Sequence, residues 1–165
     1  CDLGPDLWGI RELDCAGAGY GGITMKTICP ARLPFYGDRA MFQDAIANLL
    51  DNAIKCSLPS GVMACSAQLI LPSPHSENDG IVEIAITDHG VGMTPQDMAH
   101  ATQRFFRAEQ THHISGSGLG LSLVQAIVQR HGGQLHLANN NPGLIVRIEV
   151  PLPRTKISKT MEINR

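Results

Sequence analysis

One long amphipathic helix constrains the fold of this chain more than any other segment. Residues 37–57 read GDRAMFQDAIANLLDNAIKCS, in which Asp38 is a typical N-cap residue. Apolar side chains recur along it at helical spacing: Met41, Phe42, Ala45, Ile46, Leu49, Leu50, Ala53 and Ile54. Such a stripe must be buried against another layer, so the chain needs further elements that cover this helix.

The rest of the sequence supplies those elements. Apolar or alternating runs predict strands at 23–29, 62–71, 81–87, 134–139 and 144–150, the last two forming a hairpin across NNPG. GLGLSLVQAIVQRHGG predicts a helix at 118–133, and Thr94 with Pro95 predicts the start of a short one. This mixture predicts an α+β fold, a two-layer α/β sandwich with a mixed, mostly antiparallel sheet and helices on one face.

Composition limits the classes of protein to which the chain can belong. The 165 residues are 43% hydrophobic and 17% charged, which is typical of a globular protein. The net charge of −2 argues against a nucleic-acid binder, which usually carries a basic patch. The five cysteines are odd in number and contain no C-x-x-C pair, so we expect reduced thiols in a cytoplasmic domain. The chain begins at Cys1 without an initiator methionine, which predicts a fragment.

The pattern divides the chain into three parts. Residues 1–22 are a poorly patterned N-terminal segment, 23–152 are predicted to form one folded domain, and 153–165 are a polar C-terminal tail. GAGYGG at 17–22 formally matches G-x-G-x-x-G, but a strand-like run follows it where a dinucleotide site needs a helix. We therefore interpret this match as a loop.

A polar stripe interrupts the surface of the long helix. Asn48, Asn52 and Lys55 lie within a stripe of about 60° on a helix. A solvated face is the usual explanation, but Asn is a mediocre helix former and appears here twice. An amide oxygen suits a hard cation such as Mg²⁺, and a lysine ammonium suits a phosphate. The residues alone leave both interpretations open.

Two glycine-containing segments have the composition of ligand-binding loops. DHGVGM at 88–93 places an acid at the end of a predicted strand, which is either a simple turn or a polar group directed at a ligand. GSGLGL at 116–121 stands directly before a helix, where backbone N–H groups can bind an anion. The alternative for this second segment is a flexible hinge. It is not a Walker A loop, because no Gly-Lys-Ser/Thr follows.

RFFR at 104–107 combines two arginines with two phenylalanines. Arg104 and Arg107 are three residues apart, so on a helical turn they could fall on one side. The segment is either two core aromatics with solvated neighbours or the source of an arginine that reaches a terminal phosphate.

In this order, NLLDNAIK (48–55), DHGVGM, RFFR and GSGLGL resemble the N box, first glycine box, F box and second glycine box of the ATP-binding catalytic domain of bacterial sensor histidine kinases. That family shares its Bergerat-type nucleotide fold with the gyrase B subunit, the mismatch-repair ATPase and a heat-shock chaperone. The resemblance covers about residues 23–152 and implies an enzyme that uses ATP and Mg²⁺.

The resemblance also implies roles for individual residues. Asp88 matches the acceptor of the adenine amino group, and Asn52 matches the Mg²⁺ ligand. The implied catalytic residues are Asn48, Asn52, Lys55 and Arg107. The implied nucleotide-binding residues are Asp88, Gly90, Gly92, Arg104, Gly116, Gly118, Leu119 and Gly120. The loop between Arg107 and Gly116, with Glu109, His112 and His113, matches the lid over ATP.

The implied reaction is transfer of the γ-phosphoryl group of ATP to a histidine. None of the seven histidines has the family's His-Glu-x-x-x-x-Pro context, so the acceptor is expected on a separate dimerisation domain absent from this chain. A response regulator would receive the phosphoryl group next. The fragment is expected to be monomeric, and the full-length protein is expected to be a homodimer anchored in the inner membrane.

Three alternatives share the fold. One is an anti-sigma-type serine kinase, and another is a gyrase-like ATP-driven clamp, which usually has Glu where this chain has Asn48. The third is a non-catalytic module that docks onto a partner. The RFFR segment favours the histidine kinase over the serine kinase.

Overall fold

The computed structural model describes residues 2–4, 22–73, 79–111 and 116–154. In this part of the chain, five strands form one sheet in the order β1-β2-β3-β5-β4. Their bounds are β1 Thr24–Ile28, β2 Val62–Ile70, β3 Ile81–Thr87, β4 Gln134–Asn139 and β5 Leu144–Pro151. β1 pairs parallel with β2, and all other pairs are antiparallel. The predicted mixed, mostly antiparallel sheet is confirmed.

The helices are α1 (Arg39–Cys56), α2 (Pro95–His100) and α3 (Gly120–Arg130), with a 3₁₀ turn at Glu109–Thr111. α1 and α3 pack against each other and against the sheet, so the predicted two-layer arrangement is confirmed. Both long helices are shorter than predicted by a few residues at their ends.

The ends of the helices follow from local chemistry. Asp38 caps α1, because its side chain accepts a hydrogen bond from Met41 N at 3.1 Å. Thr94 caps α2 in the same way through Asp97 N, as predicted. α3 ends at Arg130, since Gly132 adopts a φ of +69° that a continuing helix does not allow.

The core lies between the helices and the inner face of the sheet. The apolar stripe of α1 is buried as predicted, and alternate residues of β3 face it. The largest fully buried side chains include Phe42, Leu49, Met63, Ile84, Ile86, Val124, Val128 and Ile148. One helix therefore supplies a wall of the core and, on its adjoining side, the polar stripe of Asn48, Asn52 and Lys55.

Residues 2–4 pack onto this core, although the sequence places them in the poorly patterned segment. Leu3 is fully buried and its N–H donates to Leu33 O at 2.8 Å. Asp2 Oδ1 accepts hydrogen bonds from Leu33 N at 2.8 Å and Gly4 N at 2.9 Å. Most of residues 1–22 and the tail from 155 onwards lie outside the described residues, so the domain limits stay a prediction. The predicted loop at 17–22 lies almost wholly outside them too.

No helix among the described residues is long and apolar enough to span a bilayer.

Candidate functional site

A pocket of about 200 Å³ opens between α1, the ends of β3 and β5, and the segment that leads into α3. The four segments singled out in the sequence meet at this pocket. Nine of the twelve predicted site residues line it: Asn48, Asn52, Lys55, Asp88, Gly92, Arg107, Gly116, Gly118 and Gly120. Gly90, Arg104 and Leu119 do not line it.

Asp88 is the one charged residue buried in the described part of the chain, with 4% of its surface exposed. Its Oδ1 accepts hydrogen bonds from Gly90 N at 2.8 Å and Leu144 N at 3.2 Å. Burial raises the pKa of this carboxyl, and the two backbone hydrogen bonds and His89 act in the opposite direction. Because both donors are on Oδ1, Oδ2 is the atom left to accept a hydrogen bond from a ligand.

Gly90 supports Asp88 from behind. A Cβ at Gly90 would overlap the carbonyl oxygen of Cys56 at the end of α1, so this position requires glycine for close packing. Its contribution is the N–H that holds Asp88, not a surface in the pocket. Gly92, with a φ of +68°, does line the pocket.

The two asparagines of α1 differ in their surroundings. The side chain of Asn48 turns back along the helix, where Nδ2 donates to Asp44 O at 2.8 Å. The Asn52 amide makes no hydrogen bond within the described part of the chain, and it faces Gly120 across the pocket. A Cβ at Gly120 would lie 3.0 Å from Asn52 Nδ2, so glycine there leaves the amide room. Asn52 therefore offers an oxygen ligand that no group in the described part of the chain occupies.

Lys55 lies at the pocket but contacts a carboxylate. Its Nζ is 2.5 Å from Oδ2 of Asp51, one turn earlier on α1. Asp51 also lines the pocket, and so do Cys56, Phe106 and Thr111, which are not among the site residues predicted from the sequence. The four-residue spacing of Asp51 and Lys55 was the available signal for their ion pair.

The two arginines of RFFR occupy different environments. Arg107 lines the pocket and its Nη2 donates to Thr111 O at 2.7 Å. Arg104 is exposed and does not line the pocket. Residues 101–105 form turns and not a regular helix, so the two arginines do not fall on one side of a helical turn.

The phenylalanines of RFFR also separate. Phe106 lines the pocket, whereas Phe105 is 73% exposed, so the interpretation as two core aromatics is wrong. Phe105 has a φ of +64°, and its N–H donates to Gly118 O at 3.0 Å. Gly118 has a φ of +71°, and a Cβ on it would lie 2.8 Å from the Phe105 carbonyl carbon. This contact joins RFFR to GSGLGL.

The remaining predicted residues flank the start of α3. Leu119 is 38% exposed just before the helix, and Gly116 has no atom within 4 Å of a Cβ placed on it. The first turn of α3 has no side-chain cap. Its N–H groups are therefore available to an anion at this edge of the pocket. His112 and His113 lie outside the described residues.

The donor set fits a nucleotide carrying Mg²⁺ better than a metal held by protein alone. Among the described residues, no group of three or more His, Cys, Asp or Glu is placed to hold a metal ion. Mg²⁺ is commonly bound by one or two protein oxygens together with water and substrate phosphates. Asn52 can supply such an oxygen beside the start of α3, where phosphates would lie.

The chain is similar to known proteins in both sequence and fold. The family model described as "Histidine kinase-, DNA gyrase B-, and HSP90-like ATPase" matches residues 37–154. The chain is 39% identical over 108 residues to the signal transduction histidine-protein kinase/phosphatase MprB of Mycolicibacterium paratuberculosis, covering 66% of this chain and 19% of that protein. It is 31% identical over 133 residues to the sensor-like histidine kinase SenX3 of Mycobacterium bovis, covering 79% of this chain and 30% of that protein. The matches thus span less than a third of these relatives.

A solved structure of a mycobacterial sensor histidine kinase MprB has the same fold. It superposes with a TM-score of 0.74 and 31% sequence identity, covering 93% of this chain and 97% of that one.

Proposed function

The chain belongs to the histidine kinase-, DNA gyrase B- and HSP90-like ATPase family, and on that premise we propose that it is the ATP-binding catalytic domain of a sensor histidine kinase. It binds Mg-ATP and donates the γ-phosphoryl group to a histidine on a separate dimerisation domain. The observation that carries the proposal is the pairing, in one pocket, of the buried Asp88 carboxylate with the unpaired Asn52 amide. The two groups match the two ends of a magnesium nucleotide. Asp88 suits a base that donates a hydrogen bond, and Asn52 suits Mg²⁺ bound to the charged phosphate chain.

Asp88 recognises the base. An ionised carboxylate only accepts hydrogen bonds, so Oδ2 pairs with the exocyclic amine of adenine and repels the carbonyl oxygen of guanine. Gly92 leaves space for the base beside it, and the Gly90 N–H fixes the opposite carboxylate oxygen. ATP is therefore preferred over GTP.

The phosphate end is held by α1 and by the segment before α3. Asn52 would hold Mg²⁺, with Asn48 near it on the same helix, and Lys55 and Arg107 would approach the phosphates. Mg²⁺ held there would supply positive charge that offsets the negative charge of the transferring group. Gly116, Gly118 and Gly120 allow close approach of backbone N–H groups. Arg104 and Leu119 do not line the pocket and would act only after a rearrangement of their segment.

The acceptor and partners lie beyond the catalytic domain, for which we retain the limits 23–152. The acceptor is a neutral imidazole, because an imidazolium has no lone pair for attack. A response regulator takes the phosphoryl group from it, and residues 107–116 act as the lid. The full-length protein is a membrane-anchored homodimer with this domain in the cytoplasm. The names of the relatives, both histidine kinases, support this assignment over the serine kinase and the docking module.

Calorimetric titration with a non-hydrolysable ATP analogue, with and without Mg²⁺, tests the first half of the proposal. We expect saturable binding that Mg²⁺ strengthens. Absence of binding to a folded chain would overturn the proposal in favour of a docking module.

Phosphotransfer from labelled ATP tests the second half. The chain is mixed with the dimerisation domain of a relative or with a serine-bearing anti-sigma antagonist. We expect label on the histidine alone. Label on the serine protein would establish the serine kinase, and rapid ATP hydrolysis without either acceptor would favour the clamp.

A further inference from the structure

The hydrogen-bond ladder between β3 and β5 ends in an exchange of partners at Asp88. In an antiparallel sheet, a hydrogen-bonded pair of residues donates in both directions between the two backbones. Asp88 N donates to Leu144 O at 2.9 Å, so these two residues form such a pair. Leu144 N, however, donates to the Asp88 side chain, 3.2 Å from Oδ1, and not to the Asp88 carbonyl oxygen.

A third residue, Asn140, donates to the Asp88 carbonyl oxygen in place of Leu144 N. The side chain of Asn140 donates from Nδ2 to the Asp88 carbonyl oxygen at 2.9 Å. A carbonyl oxygen buried without a partner is costly, and the Leu144 N–H is the donor that a regular antiparallel ladder would supply to it. Without the Asn140 amide, that N–H would be drawn from the carboxylate back to the backbone.

The backbone around Asn140 is built for this approach. Asn140 and Gly143 lie in the asparagine turn, residues 139–143, which joins β4 to β5. Asn140 N donates to Gly143 O at 2.9 Å, which closes the turn. Gly143 has a φ of +109°, and a Cβ there would overlap the Asp88 carbonyl oxygen. The turn therefore lies directly against the backbone of Asp88.

A second asparagine, Asn139, binds the other end of the segment 88–93 that begins with Asp88. Asn139 Oδ1 accepts a hydrogen bond from Met93 N at 3.1 Å. The asparagine turn thus contacts both ends of the segment 88–93, whose middle carries Gly92 at the pocket.

We propose that Asn140 is a positioning residue for the base-binding carboxylate. By satisfying the Asp88 carbonyl, it releases the Leu144 N–H to hold Oδ1, and this fixes the direction in which Oδ2 meets the base. The inference rests on the proposed function, because it takes Asp88 as the adenine acceptor. Asn140 is 52 residues from Asp88 in the sequence and does not line the pocket.

Selectivity for the exocyclic amine separates positioning from simple support of the fold. The test compares ATP with purine riboside triphosphate, which lacks that amine, by measuring both dissociation constants in Mg²⁺. Asn140→Leu, which removes the donor, is expected to weaken ATP binding about three- to tenfold, the effect of one hydrogen bond, and to leave the analogue nearly unchanged. In an Asp88→Ala background, Asn140→Leu should have no further effect on ATP.

Asn141→Gly is the matched control, because it changes the same turn. Asn141 has a φ of +45°, which glycine adopts without strain, so both dissociation constants should stay as in the wild type. Equal weakening of ATP and analogue by Asn140→Leu would assign Asn140 a purely structural role and overturn the inference. Unchanged ATP binding would overturn it as well.

A readout without nucleotide separates this inference from the proposed function. The Asp88 carboxyl is titrated by carbon-detected NMR in the wild type and in Asn140→Leu. Loss of the Leu144 hydrogen bond removes a group that lowers the pKa, so the variant should titrate at higher pH than the wild type. If this shift occurs but the wild type binds no ATP, the positioning stands and the proposed function fails.

If ATP binds but neither selectivity nor titration changes, the positioning fails and the proposed function stands. Should Asn140→Leu not fold, Asn140→Ala removes the donor without added bulk or charge and carries the same comparison.

Discussion

The ammonium of Lys55 lies 2.5 Å from the carboxylate of Asp51, and both side chains line the pocket. They are 36% and 48% exposed, so water screens their attraction, and such pairs contribute at most about 1 kcal/mol. A phosphate can therefore compete for the ammonium at small cost. Asp51 holds Lys55 on the wall of the pocket, and under the proposed function the phosphates of ATP would take over this ammonium.

Asp51→Asn is expected to tighten ATP binding by about two- to fivefold, because it releases Lys55 and removes a negative charge near the phosphates. Calorimetry with Mg-ATP measures the change. Asp44→Asn is the matched control, since Asp44 is exposed on the same helix and does not line the pocket. Weaker ATP binding by Asp51→Asn would mean that Asp51 contributes to the metal site.

Asn52→Ala is expected to weaken ATP binding about tenfold or more in Mg²⁺ and to change it little in EDTA, as for loss of a metal ligand. Titrations in the two buffers measure the difference. Asn48→Ala serves as the comparison, because the Asn48 amide nitrogen is already bonded to Asp44 O. The same loss in both buffers would contradict a role for Asn52 in Mg²⁺ binding.

Asp88→Asn is expected to raise stability near neutral pH while ATP binding is weakened. Burial raises the pKa of Asp88 above 3.8, so the folded state binds a proton more tightly than the unfolded state. The free energy of unfolding therefore falls as pH rises from the unfolded-state pKa through the raised folded-state pKa, and Asn removes this fall. Urea unfolding from pH 3 to pH 8 measures both curves. If the free energy of unfolding varied with pH in the same way for the wild type and the variant, the prediction would be wrong.

Gly118→Ala is expected to destabilise the fold by about 1–2 kcal/mol, the cost of a left-handed conformation for a residue with a Cβ, and to weaken ATP binding. The added Cβ also meets the backbone of Phe105 and Phe106. Gly116→Ala is the control, since nothing lies within 4 Å of its Cβ. Urea denaturation measures the free energy of unfolding of both variants. Equal values would contradict the prediction and show that the backbone of Phe105 and Phe106 moves to accommodate the added Cβ.

Local chemistry was the part of the fold that the sequence could predict. Asp38 and Thr94 cap their helices as expected, because an N-cap depends on residues only three positions away. The β4–β5 hairpin follows from the Asn-Pro-Gly turn for the same reason. The meeting of the four motifs at one pocket was also predictable, because their order and spacing resemble those of a family in which they form one site.

Features that depend on distant backbone were not predictable. Arg104 and Arg107 separate because residues 101–105 turn to bond Gly118, a contact that three-residue spacing does not reveal. The hydrogen bond from Asn140 to Asp88 joins segments 52 residues apart, and a turn rich in asparagine needs no such partner. The resemblance implies that Gly90 binds the nucleotide. In the structure, a Cβ at Gly90 would overlap the carbonyl oxygen of Cys56 at the end of α1.

The parallel pairing of β1 with β2 makes α1 a crossover that is tethered at both ends to adjacent strands. A helix connected in this way to two paired strands resists sliding or rotation relative to the sheet. The stripe with Asn48, Asn52 and Lys55 therefore forms the fixed wall of the pocket. Accommodation of differently sized ligands would fall to the opposite wall, the connection from α2 to α3, whose described residues 101–111 and 116–119 pair with no strand of the sheet.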